Sequence, residues 1–165
     1  MHLFKPKKPN IDAVFLKYGD MLYRVALTRL GSDADAQDVV QDVFVKYMTV
    51  LPDFNDDAHE KAWLLRTTIN HCTDYMRRQK IRSYLSIDEA HHVTADNQDG
   101  LSDMMFLLSM LSPIYRDVVI IHSLEGFSIE ETAELLNISL SAVKMRLSRA
   151  REMLQILRKE EDDVY

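Results

Sequence analysis

The chain has 165 residues, 47% apolar and 28% charged, with a formal charge of −6; this is the profile of a folded globular protein of one domain or two small ones, and it excludes wholesale disorder and collagen-like repetition. Only 4 Gly and 4 Pro serve the whole length, too few turn formers for a sandwich or barrel of many short strands, so an all-β fold is disfavoured. The negative charge argues against a protein that coats nucleic acid with its entire surface, yet leaves room for local basic patches.

In chain order, the opening MHLFKPKKPN lacks the apolar core of a secretory signal, and no apolar run reaches the length of a membrane span. Phe15, Tyr18, Leu22, Val25 and Ala26 recur at helical spacing and predict a first helix, ended by Gly31 as a left-handed cap. Asp33 is expected to cap a second helix with the stripe Val40, Val43, Phe44, Tyr47 and Leu51, stopped by Pro52. A third helix is expected from about Ala58 to Arg82, burying Leu65, Ile69, Cys72 and Met76. Cys72 is the single cysteine, so no internal disulfide can form, and a reducing cytoplasm is the expected setting.

Helical periodicity then lapses. The stretch from Ser83 to Met105 holds five acids and no Lys or Arg, and His91 to Gly100 reads HHVTADNQDG, which predicts an acidic, flexible linker over 83–100 between two domains, 1–82 and 101–165. Beyond it, Ser112-Pro113 opens a helix reaching about Leu124, and Gly126 ends it. Ser128 with Glu131 forms a capping box for a short helix to Leu136; Asn137 takes the turn, and Ser139 caps a last helix over about Leu140 to Lys159. The expected fold is all-α: two small helical domains on a linker, the second containing a helix-turn-helix.

The charges are segregated. Lys61, Arg66, Arg77, Arg78, Lys80 and Arg82 stand against one acid, Asp74, and Lys144, Arg146, Arg149, Arg151, Arg158 and Lys159 against Glu152. In Ser128 to Arg151 (SIEETAELLNISLSAVKMRLSRAR), Ala133 lets two helices approach, and Ile138 and Val143 lock the second onto the first. Ser141, Met145, Ser148 and Arg149 lie opposite the apolar side, flanked by Lys144 and Arg146, as suits a helix that enters a major groove while its flanks hold phosphates. A helical hairpin with a solvated basic face is the competing reading of that pattern. On the third helix Arg66, Asn70, Asp74, Arg77 and Arg78 gather on the side away from the core, a nucleic-acid surface or a solvated face. Trp63 and Tyr75 could stack on unpaired bases, although Trp63 is expected in the core. Asp38, Gln41, Asp42, Val45 and Thr49 form an acidic face around one apolar residue on the second helix, a docking site for a basic partner or a solvated surface.

No catalytic constellation is found: there is no glycine-rich phosphate loop, no nucleophile elbow and no paired acid signature, so no enzymatic activity is expected. The six histidines lack metal-ligand spacing apart from the adjacent His91-His92 pair, and neither metal nor cofactor is expected.

Three segments in this order carry a resemblance: YRVALTRLGSDADAQDVVQDVFVKYM (Tyr23 to Met48), AWLLRTTINHCTDYMRRQKIR (Ala62 to Arg82) and LSPIYRDVVIIHSLEGFSIEETAELLNISLSAVKMRLSRAREML (Leu111 to Leu154). Together they resemble the extracytoplasmic-function sigma factors, the small two-domain members of the sigma-70 family, over about Phe15 to Leu157. The resemblance implies a promoter-specificity subunit that binds core RNA polymerase and promoter DNA, is held in check by an anti-sigma factor and inserts in no membrane. It places Asp38, Gln41, Asp42 and Val45 against the coiled-coil clamp of the largest polymerase subunit. It assigns Asn70, Asp74, Arg77 and Arg78 to the minus-10 element, the loop Pro52 to Glu60 to capture of a flipped base, and Ser141, Lys144, Arg146 and Arg149 to the minus-35 element. This sequence has Asn137 where the family often has Gly, and Ser141-Ala142 where the recognition helix often begins Gly-Thr. A helix-turn-helix repressor acting alone, or a helical adaptor without DNA, are the readings of other classes.

Overall fold

The structure, a computed structural model, describes residues 9–85 and 103–162. Among these residues all regular structure is helical: α1 (Ile11–Leu30), α2 (Asp33–Val50) and α3 (Asp57–Leu85) precede α4 (Asp103–Met110), α5 (Pro113–Val118), a π-helical turn (Val119–Leu124), α6 (Ile129–Leu136) and α7 (Leu140–Asp162). Most of the expected linker, 86–100, lies outside the described residues, and with it the His91-His92 pair.

Local chemistry sets the helix ends. Gly31 takes φ 67° and returns its N–H to Leu27 O, closing α1 as its lack of a Cβ allows. Ser32, not Asp33, caps α2: its hydroxyl accepts from Asp35 N at 3.3 Å. Asp33 sits one residue inside the helix, where its carboxylate accepts from the Tyr23 hydroxyl and from Gln37 at 3.0 Å. Leu51, expected on the buried stripe, is 45% exposed because it is the left-handed cap of α2, with φ 47° just before Pro52. Phe15 is likewise 53% exposed, resting on the rim with its ring 5.1 Å from Phe44. Met76 is only half-buried, since the three-helix core ends near Cys72.

Tyr18, Leu22, Val43, Phe44, Tyr47, Leu64 and Cys72 anchor one buried cluster drawn wholly from α1 to α3. Trp63 packs against it, its ring 5.9 Å from Tyr47 and 6.0 Å from Phe54. The second cluster centres on Leu108, Val118, Ile121, Val143 and Ala150, yet it also takes in Val25 from α1 and Leu65 and Ile69 from α3. The two halves therefore share apolar surface.

One arginine ties this junction. The last carbonyls of a helix lack intrahelical partners, and Arg116 satisfies those of two helices at once. Its guanidinium donates to Leu108 O at 3.1 Å, Ser109 O at 3.0 Å and Leu111 O at 2.7 Å around the end of α4, and to Thr28 O at 2.5 Å in the last turn of α1. A cation at two helix C-termini also meets the negative ends of both dipoles. Burial pulls its pKa down from the ordinary value, with Asp117 opposing.

The expected single helix from Pro113 to Leu124 widens after Val118 into the π-helical turn, where Glu125 N donates to Ile120 O at 2.9 Å. The four consecutive residues Val118 to Ile121 are all buried, more than one stripe of a regular helix accommodates. Gly126 then reverses the chain at φ 76°.

Candidate nucleic-acid and polymerase-facing surfaces

The helix-turn-helix is built from local signals. Ser128 accepts from Glu131 N at 3.0 Å while Glu131 accepts from Ser128 N at 2.7 Å, the reciprocal capping box of α6. Asn137 sits at φ 53°; its N–H reaches Glu134 O at 3.2 Å and the N–H of Ile138 reaches Ala133 O at 3.0 Å, so two orphan carbonyls are closed within the turn. Ser139 then starts α7 by accepting from Ala142 N at 3.1 Å. Val143, Leu147 and Ala150 are buried against the preceding helices, which leaves Ser141, Lys144, Met145, Ser148 and Arg149 exposed on the other side. Arg146 differs: it is half-buried and lines a cleft between the two halves.

On α3, Arg66, Asn70, Asp74, Arg77 and Arg78 are all exposed, as the periodicity predicts. The Asp74 carboxylate pairs with Arg77 at 3.4 Å, while Arg78 Nε donates to the backbone carbonyl of Asp74 at 3.4 Å, so both cations lie at one end of the row. Tyr75 is committed elsewhere: its hydroxyl donates to Asp35 at 2.5 Å and accepts from Gln79 at 2.8 Å, which keeps the ring on α2 and away from any base. The loop between α2 and α3 is anchored by Phe54, whose ring meets Tyr47, His59 and Trp63. Asp56 caps α3 by accepting from His59 N at 2.7 Å.

The α2 surface holds Asp38, Gln41, Asp42 and Val45 together and exposed, with Val45 55% accessible. The neighbouring acids Asp33 and Asp35 are turned inward by Tyr23 and Tyr75. Thr49 folds its hydroxyl back onto Val45 O at 2.7 Å, so it adds bulk more than polarity to this face. Charge is thus sorted: an acidic, partly apolar face on α2, and basic faces on α3 and α7.

Cys72 is fully buried, and burial pushes its thiol up to about 12, so it is no nucleophile at neutral pH. Among the described residues no group of three or more His, Cys, Asp or Glu could hold a metal ion, and no helix is long and apolar enough to cross a membrane. Sequence reasoning missed Arg29, Arg116 and Asp117, which join the halves; the signal available was an Arg-Asp pair inside the otherwise apolar run from Ile114 to Ile121.

Residues 14–82 match the family described as Sigma-70 region 2, and residues 101–154 match the family described as Sigma-70, region 4. The chain is 28% identical over 157 residues to the ECF RNA polymerase sigma factor SigE of Mycolicibacterium smegmatis; the match covers 89% of this chain but only 61% of that relative. It is 30% identical over 154 residues to the RNA polymerase sigma factor NccH of Alcaligenes xylosoxydans xylosoxydans, covering 86% of this chain and 82% of that one. Its structure is similar to that of the sigma factor RpoE of Bartonella quintana, solved in complex with the anti-sigma factor NepR, with a TM-score of 0.74 at 28% identity over 91% of this chain and 97% of the other.

Proposed function

The chain belongs to the sigma-70 family, in its extracytoplasmic-function branch, and from that premise we propose that it is the promoter-specificity subunit of a bacterial RNA polymerase, acting in transcription initiation. The observation that carries this reading is the order of its surfaces: a region 2 unit with an acidic docking face precedes a region 4 unit with an exposed recognition helix. Residues 1–82 are the core-binding and minus-10 domain, 83–100 the linker, and 101–165 the minus-35 domain.

Asp38, Gln41, Asp42 and Val45 meet the polymerase clamp, the carboxylates selecting a basic surface and Val45 supplying apolar contact at its centre. Asn70 reads a base while Arg77 and Arg78, spaced by Asp74, hold phosphates of the opened minus-10 region. Ser141 and Arg149 reach base edges of the minus-35 duplex, and Lys144 and Arg146 hold its backbone. Core polymerase does the chemistry; this chain supplies position and no catalytic group. By likeness to the complex of RpoE with NepR, an anti-sigma protein is its regulatory partner.

The test combines run-off transcription with a band shift. Core polymerase plus this chain is expected to initiate at discrete sites in a genomic fragment library, while the free chain shifts promoter duplex weakly, because two small basic patches on an acidic chain neutralise few phosphates. Tight, sequence-specific binding by the isolated chain with no effect on core transcription would favour a repressor instead.

A further inference from the structure

We propose that Met145 reads a methyl group in the minus-35 duplex: its side chain packs on the C5-methyl of a thymine and makes this chain select thymine at one position of that element. The inference rests on the sigma reading above and deepens it, from which helix enters the groove to which base chemistry that helix selects.

Exposure and helical geometry place Met145 at the groove. It is 55% exposed although apolar, and it lies on the side of α7 opposite Val143, Leu147 and Ala150, all of them buried. At about 100° per residue, the Met145 position falls within roughly 15° of the direction opposite those three, nearer to it than Lys144 or Arg149. It also stands in the second turn of α7, which begins at Leu140, and the N-terminal residues of a recognition helix are the ones that contact base edges. Met153 and Ile156 are exposed as well, but they lie roughly two and three turns further along the helix.

The neighbours sharpen the assignment. Ser141 precedes Met145 by about one turn and Ser148 follows by about one, both exposed and short, so the longer Met145 side chain reaches beyond them. A thioether has no hydrogen-bond donor and is only a weak acceptor. Set against the amino and carbonyl edges of a major groove, it would strip water from polar groups and return no hydrogen bond. The apolar group displayed in that groove is the methyl of thymine, and a flexible, polarisable side chain adapts its shape to such a contact. Lys144 and Arg149 cannot make this choice, because phosphates and acceptor edges are the same with or without the methyl.

The test uses holoenzyme, the full chain with core polymerase, on promoters whose minus-35 element is randomised. Transcribed templates are expected to be enriched in thymine, on either strand, at one position, and Met145→Ala is expected to lose that enrichment. On the best-used template each minus-35 thymine is then replaced singly by deoxyuridine, which removes the methyl and nothing else. At the selected position this is expected to lower initiation by the unsubstituted chain about 4-fold, as the burial of one methyl implies. Met145→Ala is expected to use the two templates alike, and Met145→Leu, apolar and of similar size, to keep the preference.

A pool without thymine enrichment, indifference of the unsubstituted chain to deoxyuridine at every position, or an undiminished preference in Met145→Ala would overturn the proposal. Loss of core affinity in Met145→Ala would do so too, since it would make this side chain a polymerase contact. The salt slope of promoter binding is expected to stay unchanged in Met145→Ala, whereas Lys144→Ala changes it by about 0.9. Thermal melting confirms that the variants fold, as expected for a position facing away from the core. If the unsubstituted chain directs no initiation from any template, the sigma reading fails and this inference with it; indifference to the methyl in an active holoenzyme counts against this inference alone.

Discussion

The two halves of this molecule differ in how they finish their cores. The N-terminal half closes on itself: α1, α2 and α3 enclose Leu22, Val43, Leu64 and Cys72, and tyrosine hydroxyls bolt helix to helix, with Tyr23 on Asp33, Tyr47 on Glu60 at 2.5 Å and Tyr75 on Asp35. The C-terminal half takes Val25, Leu65 and Ile69 from its neighbour, and its Arg116 caps α1 of that neighbour as well as α4 of its own half. The proposed polymerase-docking half thus has a self-contained core. The C-terminal half instead completes its core on the helices of the N-terminal half.

Removing the double cap is expected to have the largest effect on this asymmetry. Arg116→Ala leaves carbonyls of two helix ends without their donor and should cost about 3–5 kcal/mol. Amide hydrogen exchange should then show protection lost across α4 to α7 and largely kept in α2; equal loss in both halves would break the comparison. Next come two buried leucines, each 0% exposed. Leu22→Ala and Leu65→Ala should each cost about 2–5 kcal/mol, but Leu65→Ala is expected to loosen the C-terminal half and the junction, and Leu22→Ala the N-terminal half. Identical exchange patterns for the pair would show that the clusters are one.

A smaller effect is expected at high pH, and only in the N-terminal half. The hydrogen bond to Asp33, then burial, raise the Tyr23 hydroxyl from 10.0 to about 12. A folded pKa above the unfolded one gives stability that is complete below pH 10 and lost as pH rises through about 12. Urea unfolding at stepped alkaline pH should show that loss, and Tyr23→Phe should reduce it while lowering stability at neutral pH, the remainder coming from Tyr18, Tyr47 and Tyr75, whose hydroxyls burial also raises. Smallest of all, Ser128→Ala removes one half of the α6 capping box and should lower the melting stability by about 1 kcal/mol, with no change in α1 to α3.

What the sequence made legible was local. Gly31, the Ser128 and Glu131 box, Asn137 and Ser139 each act within one turn of their own position, and each stands where expected. Where two good capping residues stand side by side, local rules do not choose between them: Asp33 was the expected cap of α2, but Ser32 takes that place while the Tyr23 and Gln37 side chains hold Asp33 inside the helix. The exposure of Asp38, Gln41, Asp42 and Val45 followed from helical period alone, as did that of the α3 row. The inward turn of Arg146 and the roles of Arg29, Arg116 and Asp117 did not, because each depends on residues tens of positions away. The π-helical turn was hidden as well, since its apolar run VVII suits a regular helix equally in sequence.

The division of labour between the halves has one direct test: transcription by reconstituted holoenzyme from a panel of minus-35 variants, with core affinity measured on the same preparations. Base-edge contacts discriminate by roughly 1–3 kcal/mol each and phosphate contacts by none. Arg149→Ala is therefore expected to depress the variants unevenly and Lys144→Ala to depress all of them alike, both with core affinity intact because the proposed core contacts Asp38, Gln41, Asp42 and Val45 lie in the other half. Matching profiles for the two substitutions, or a loss of core affinity from Arg149→Ala, would contradict the account.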